Sequence, residues 1–334
     1  MKAAFFTGAK QPFTFQDVAV PEPGPGEVRI RCHASGICGT DAHYWDGTLP
    51  LQSPWVLGHE PVGTIDALGD GVTHLREGDR VGVSWVQEGC GRCGFCQRRK
   101  PDYCDDQYSW MNLGGGHAEY MIARAAGCTL LPDGLDWAVA APLFCAGYTV
   151  MSGYRNAQAK PGDRVGVIGI GGLGHLLVQV AKAYGHEVVA ITSSENKREE
   201  ARQLGADEVL VVKEHAGKAL ADMGGVDVAI STSNDMKHNS QVIEGIRHEG
   251  KLVSMAISKE KMEIDPLFLL DHQIRIIGSQ QCGREDLVEI LGLAASGKVK
   301  PMLECYPLEA VNEVMQRLAE GKVRYRAVLT HECG

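Results

Sequence analysis

Hydrophobic and polar positions follow two rhythms along this chain, and the change falls near residue 150. Before it, apolar residues come in short runs with a period near two, the spacing of half-buried strands. Val28 to Ser35, Pro61 to Ala67 and Arg80 to Val83 read this way. They are set off by turn formers, Pro21-Glu22-Pro23-Gly24-Pro25-Gly26 and Glu77-Gly78-Asp79. No long amphipathic helix precedes about Trp137. The expectation is a small barrel of short strands.

From Arg164 the rhythm becomes strand, helix, strand. Strands are expected at Arg164–Ile168, Glu187–Ile191, Glu208–Val212, Val226–Ser231, Lys251–Met255 and Ile274–Ile277. The first helix carries Leu173, Leu177, Val180 and Tyr184 on one face and stops at Gly185. About six parallel strands in this order imply a doubly wound α/β sheet. After Gly278 the chain is expected to return to its first domain, with helices at Arg284–Ser296 and Leu308–Glu320 and a last strand at Tyr325–Thr330. The division is therefore 1–146, 147–280 and 281–334.

Composition narrows the class without choosing a function. A chain of 334 residues, 44% hydrophobic and 22% charged, is an ordinary globular protein of two domains. A formal net charge of −9 argues against a nucleic-acid or anionic-membrane partner, which needs a basic patch. No apolar run reaches about 18 residues and the first residues lack a signal-peptide core, so the expected location is the cytoplasm. Eleven cysteines in such a chain fit metal or redox chemistry better than a disulfide framework.

Four of them form a comb, Cys90, Cys93, Cys96 and Cys104, inside a polar lobe at 88–106. Four thiolates at this spacing can close a tetrahedral structural zinc site. An iron–sulfur cluster and free redox thiols are the alternatives. The bacterial ferredoxin run has three residues before its last Cys and a Pro after it, whereas here seven intervene and Asp105 follows.

Gly169-Ile170-Gly171-Gly172-Leu173-Gly174 lies between the first strand and the first helix of the second half. In that βαβ context G-x-G-x-x-G is a dinucleotide fingerprint. Gly169 gives the tight turn, Gly171 lets backbone approach a pyrophosphate, and Gly174 lets helix pack on strand. The next strand ends in Thr192-Ser193-Ser194 with no acid at its tip, and Lys197 and Arg198 follow. Small hydroxyls and cations suit a ribose 2′-phosphate, so NADP(H) is expected, with Glu195 the residue that speaks against it.

Gly36 to Glu60 concentrates metal-binding chemistry: Cys38-Gly39-Thr40-Asp41-Ala42-His43, then Gly58-His59-Glu60. Cys and His are ligands that zinc prefers, and a catalytic site needs three with a fourth position open. Cys38 and His59 are two candidates. Cys145, in the apolar run Ala141 to Thr149 where the two textures meet, is a candidate third. The single histidines His33, His74, His117, His175, His186, His215, His238, His248, His272 and His331 lack ligand-like spacing, and Cys32, Cys128, Cys282, Cys305 and Cys333 lack partners; all read as packing or surface residues.

These segments together resemble the zinc-containing, medium-chain alcohol dehydrogenases, over essentially the whole chain. The motifs are G-I-C-G-T-D-x-H, G-H-E, the four-cysteine lobe, P-L-x-C-A-G-x-T, G-I-G-G-L-G and Lys322-Val323-Arg324-Tyr325-Arg326. The Thr-Ser-Ser ending resembles the cinnamyl-alcohol-dehydrogenase-like branch and its bacterial aldehyde reductases. The resemblance implies a GroES-like β-barrel catalytic domain beside a Rossmann domain. It implies a catalytic zinc on Cys38, His59 and Cys145 in addition to the structural one, with Glu60 behind the metal or a transient ligand. Thr40 and His43 would form a proton path, and Asp41 would hold His59. Thr149 would touch the nicotinamide carboxamide, Leu173 would back the ring, and Arg326 would lie near the cofactor phosphates. Trp85 matches an aromatic pocket residue. Leu49 stands where yeast-type enzymes carry a second Trp, which implies a roomier pocket. The expected reaction is hydride transfer between NADP(H) and primary alcohols or aldehydes, aromatic or allylic ones included. A broad-range NAD enzyme or a polyol or secondary-alcohol dehydrogenase is the alternative. Homodimers or homotetramers are expected.

Overall fold

The computed structural model describes residues 1–331, so Cys333 lies outside the described residues. The chain forms two units. The first takes Met1–Ala146, Cys282–Ala295 and the chain from Pro301 onward, and the second Gly147–Gln281 with Ser296–Lys300.

In the first unit the long strand β1 (Glu27–Ile37) alternates in burial through Val28, Ile30, Cys32 and Ala34, then is buried throughout from Ala34 to Ile37. It leads into the short helix α1 (Gly39–Trp45). Strands β2 (Pro61–Leu68), β3 (Arg80–Val83), β4 (Tyr120–Arg124) and β5 (Cys128–Leu130) follow. A single turn, Ala141–Phe144, plugs the sheet: the Phe144 ring fills the place that a Cβ at Gly82 of β3 would need. That contact fixes the chain one residue before Cys145.

The second unit begins one residue into helix α2 (Ala146–Ala157) and continues through β6 (Arg164–Ile168), α3 (Gly174–Ala183), β7 (Glu187–Thr192), β8 (Glu208–Val211), β9 (Val226–Ser231), β10 (Ile246–Ser254) and β11 (Arg275–Gly278). Among the described residues these six strands form one sheet in the order β8-β7-β6-β9-β10-β11, every pair parallel. The order reverses between β6 and β9, which is where such sheets bind ligands. At the opposite, amino end, the buried Arg164 guanidinium bonds Glu187 and Glu208, each at 2.7 Å, and the carbonyls of Met223 and Gly225. Three chain segments are thereby drawn to one charge. Strand β10 starts earlier than Lys251, because Ile246 already pairs with Val226 ahead of an irregularity. The polar run Arg247-His248-Glu249-Gly250 hides that start from a pattern of apolar residues.

The returning chain forms α4 (Arg284–Ala295), β12 (Leu303–Pro307), α5 (Val311–Ala319) and β13 (Arg326–Thr330). Where one helix was expected from Leu308, a tight turn, Leu308–Ala310, precedes α5. Ser296–Lys300 goes with the second unit, where the Gln179 amide clips the Lys300 backbone at 2.8 and 3.0 Å. The barrel sheet then reads β5-β3-β2-β1-β13-β12, with β4 also on β1. No helix among the described residues is long and apolar enough to cross a membrane.

Candidate metal and cofactor sites

Strand register brings the first cluster together. Ser35 of β1 faces Pro61 of β2, so Cys38, just past β1, and His59-Glu60, just before β2, share one rim. Gly58 turns the chain there with φ +101°, and a Cβ on it would crowd the His117 backbone and Ser35. Cys145 arrives behind the Phe144 plug. The donor atoms of Cys38, His59, Glu60 and Cys145 lie within 4.8 Å of one another.

These residues fit a bound zinc ion. The two sulfurs are 3.7 Å apart, and a tetrahedral ion with bonds of ~2.3 Å spans its sulfurs by about 3.8 Å. Both ring nitrogens of the fully buried His59 lack a hydrogen-bond partner. Such an orphaned group is costly unless a ligand takes it up. Nδ1 faces Asp41 Oδ1 at 3.4 Å, which leaves Nε2 for a metal. Asp41 also accepts the Cys38 N–H through Oδ2 at 2.8 Å, so one buried carboxylate braces two candidate ligands. The bond with Cys145 and the nearby His59 hold the Cys38 thiol well below its ordinary pKa, while its own bond to Cys38 and burial push Cys145 up. A divalent cation held there would end that split, since both sulfurs would ligate it as thiolates.

Burial pushes Glu60 up to about 7 against the pull of Arg326. Arg326 is buried, with its guanidinium 2.5 Å from the Glu60 carboxylate, a partner that the sequence does not reveal. Register brings it there: β13 runs antiparallel to β1 with Ala327 opposite Ile37, so Arg326 emerges at the same rim as Cys38.

Thr40 Oγ1 sits 3.8 Å from Cys38 Sγ, and His43 lies half-buried in the last turn of α1. Trp85 stands edge-on to His59 at 5.1 Å between centroids, and Leu49 packs on the same apolar cluster. The structure adds Trp110, which the sequence reading missed. It is buried, 6.1 Å from His59, 5.4 Å from Trp85 and 5.9 Å from Tyr44. No periodicity signals it, because the contact depends on how the cysteine lobe folds back.

In the comb, the sulfurs of Cys90, Cys93, Cys96 and Cys104 also lie within 4.8 Å of one another. Backbone N–H groups of Cys90, Cys93 and Cys96 donate to the sulfurs of Cys104, Cys90 and Cys93 at 3.3 to 3.4 Å. Those N–H groups favour thiolates; donors from Arg92 and Cys93 bring the Cys90 thiol down to about 6. All four are free of disulfides.

The glycine loop forms a separate cradle in the second unit. Gly169 has φ +84°, and a Cβ at Gly174 would overlap the Gly169 carbonyl. Gly171 has neither excuse: its φ is ordinary and open space surrounds it. The fold leaves that room for something that comes close to the backbone, which a pyrophosphate at the start of α3 would do. His175 Nδ1 lies 2.8 Å from the Gly171 carbonyl, and Thr232 Oγ1 donates to the Gly169 carbonyl at 2.8 Å. Neither was singled out from sequence. Gly172 and Leu173 are half-buried beside Gly171. At the end of β7, Thr192 is buried and accepts the Ser194 N–H at 3.3 Å, while Ser193 is exposed. Lys197 is half-buried, but Arg198 is turned onto Glu195 at 2.5 Å. Thr149, in the first turn of α2, accepts from the Gln281 amide.

With two metal-binding clusters and a dinucleotide cradle in place, comparison with known proteins is specific. Residues 24–133 match the alcohol dehydrogenase GroES-like domain, and residues 172–296 the zinc-binding dehydrogenase domain. An alcohol dehydrogenase of Geobacillus stearothermophilus is 39% identical, across 98% of this chain and 99% of that protein. Cinnamyl alcohol dehydrogenase 8 of Arabidopsis thaliana is 33% identical across 97% and 92%. The acetophenone reductase of Geotrichum candidum, solved in complex with NAD, superposes with a TM-score of 0.86 at 31% identity, across 98% and 96%. The chain belongs to the zinc-containing medium-chain alcohol dehydrogenase family.

Proposed function

We propose that this alcohol dehydrogenase carries hydride between NADP(H) and primary alcohols or aldehydes, aromatic and allylic ones included, and works mainly as an aldehyde reductase in the cytoplasm. The observation that carries the reading is the Cys38–His59–Cys145 cluster with the Thr40 hydroxyl beside it. Zinc held there supplies a Lewis acid that polarises the substrate oxygen, and the nicotinamide supplies or accepts the hydride. The chain does the rest. Asp41 keeps the His59 ring oriented. Thr40 Oγ1 accepts the proton that an alcohol releases as it gives up its own, which would pass by way of the cofactor ribose to the His43 imidazole and on to solvent. Trp85 and Trp110 shield the polar cluster from water on one side, and Leu49 leaves room for a ring where a Trp would fill it.

The NADP(H) preference rests on Lys197 and on the absence of an acid at the tip of β7. The Glu195–Arg198 pair favours NAD as the second reading, because it neutralises one of the two cations. The four-cysteine lobe is assigned a structural zinc. The open edge of β11 suits pairing of subunits as a homodimer or homotetramer. Steady-state rates on aliphatic, aromatic and allylic aldehydes with both reduced coenzymes test the reading. A kcat/KM higher with NADH, or highest on polyols in the reverse direction, overturns it.

A further inference from the structure

Gly169 opens the turn from β6 into α3, and its backbone is held from both neighbouring strands. Its N–H donates to the Ile191 carbonyl of β7 at 2.8 Å, and its carbonyl accepts from Thr232 Oγ1, one residue past β9, at 2.8 Å. The Thr232 hydroxyl has one proton to give. The other acceptor in reach, the Ile168 carbonyl at 3.1 Å, already takes the Thr232 N–H at 2.9 Å, so the proton serves the shorter bond to Gly169. Thr232 is itself fixed. The fully buried Asn239, in the helix Met236–Val242, accepts from Ser231 Oγ at 2.8 Å and donates to the Ser233 carbonyl at 2.9 Å, and the Ser233 N–H donates to Ser231 Oγ at 3.2 Å. The sheet needs no such latch, since the ladder between β6 and β9 ends at Ile168 and Ser231.

We propose that Thr232 is a positioning residue for the dinucleotide: its hydroxyl holds the Gly169 carbonyl out of the space at Gly171 that the pyrophosphate would take. This rests on the dinucleotide reading given above. The latched oxygen lies 1.8 Å from where a Cβ on Gly174 would stand, whereas among the described residues nothing beyond its chain neighbours comes within 4 Å of that point on Gly171. Four of the six residues from Gly169 to Gly174 are glycines, and glycine takes positive and negative φ with similar ease. Such a loop can rotate its peptide planes at little cost. In a trans peptide the C=O and N–H point in opposite directions, so a rotated plane presents an acceptor where it had a donor. At the start of α3 an anion needs N–H groups, and an oxygen turned toward it repels it. The glycines cannot forbid that rotation, but a bond from beyond β9 can. With the carbonyl latched, the loop is ordered before the ligand arrives; without the latch, binding must also order it.

Isothermal titration calorimetry and amide hydrogen exchange on the full-length, zinc-loaded protein test the latch. The variants are Thr232→Val, which keeps the shape and removes the hydroxyl, Thr232→Ala, and Thr232→Ser, which keeps the hydroxyl. NADPH and NADH report the whole cofactor, while 2′-phospho-ADP-ribose and ADP-ribose carry the pyrophosphate without nicotinamide. One neutral hydrogen bond corresponds to about three- to tenfold in affinity. Thr232→Val and Thr232→Ala are expected to weaken the preferred coenzyme and its fragment alike, each by about that factor, with Thr232→Ser near wild type. Amides of residues 169–174 should exchange faster in unliganded Thr232→Val and at wild-type rates once coenzyme saturates it, a pattern that general loss of stability does not give. No loss of affinity, a loss seen with coenzyme but not with its fragment, a Thr232→Ser protein as weak as Thr232→Val, or unchanged exchange in the unliganded loop overturns the proposal. Wild-type protein that binds neither coenzyme nor fragment sinks the dinucleotide reading itself and this inference with it.

Discussion

Arg326 and Glu60 meet at 2.5 Å with 3% and 0% of their surfaces exposed, and the Glu60 carboxylate lies within 4.8 Å of the donor atoms of Cys38, His59 and Cys145. A buried pair is strongly destabilised when one partner goes, by about 3–5 kcal/mol, because the other is left charged and dry. Arg326→Met should therefore lower the unfolding midpoint clearly, and it should raise the proton affinity of Glu60 further. Adding Glu60→Gln to that variant should restore most of the loss. Calorimetric midpoints of the three proteins decide the matter; a double variant no better than Arg326→Met would show that the pair is not the cause.

The two clusters should separate catalysis from stability. Cys38→Ser is expected to lose one of two zinc ions per chain and to reduce turnover roughly a thousandfold, while dinucleotide affinity holds. Cys104→Ser should lose the other ion and lower the unfolding midpoint, because metal binding there supplies folding free energy to a polar lobe. Metal content by mass spectrometry, with turnover and midpoint measured on the same samples, tests both. Full activity in metal-depleted Cys38→Ser would remove the basis of the proposed chemistry.

Most of this architecture was legible because local rules and the fold agree. The strands Arg80–Val83, Arg164–Ile168 and Val226–Ser231 are bounded in the structure as their apolar runs suggest. The glycine loop lies where a strand hands over to a helix. Contacts made across register were not legible. Arg326 reaches Glu60 only because β13 pairs with β1, and no local pattern encodes that pairing. Trp110 reaches His59 through the fold of the cysteine lobe, and Gln281 reaches Thr149 from a position 132 residues away. Glu195 was visible in the sequence, but its hold on Arg198 was not.

That hold leads to a prediction about coenzyme choice. If Lys197 reads a 2′-phosphate, Lys197→Ala should lower kcat/KM with NADPH by about tenfold and leave NADH nearly unchanged, since only one coenzyme carries the charge. Glu195→Gln should move the ratio the other way, because it releases Arg198 and removes a repulsive carboxylate. Equal effects on both coenzymes would show that these side chains shape the loop and do not read the phosphate.

Acid should destabilise the fold through His117. The imidazole is fully buried with Nδ1 3.0 Å from Ser35 Oγ, and burial lowers its pKa to about 4, with Asp41 opposing. The unfolded chain, with an ordinary histidine near 6.5, binds the proton more readily. Stability from this group is therefore complete above about pH 6.5 and falls as pH drops toward 4, by about 3 kcal/mol in all. His238 and His331, both lowered by burial, act in the same direction, so the contribution is read as a difference between variants. Denaturant unfolding of wild type and His117→Gln from pH 7 to pH 4 should show a shallower acid slope for the variant, whatever its stability at pH 7. Parallel slopes would mean that the buried imidazole already carries its proton in the folded state.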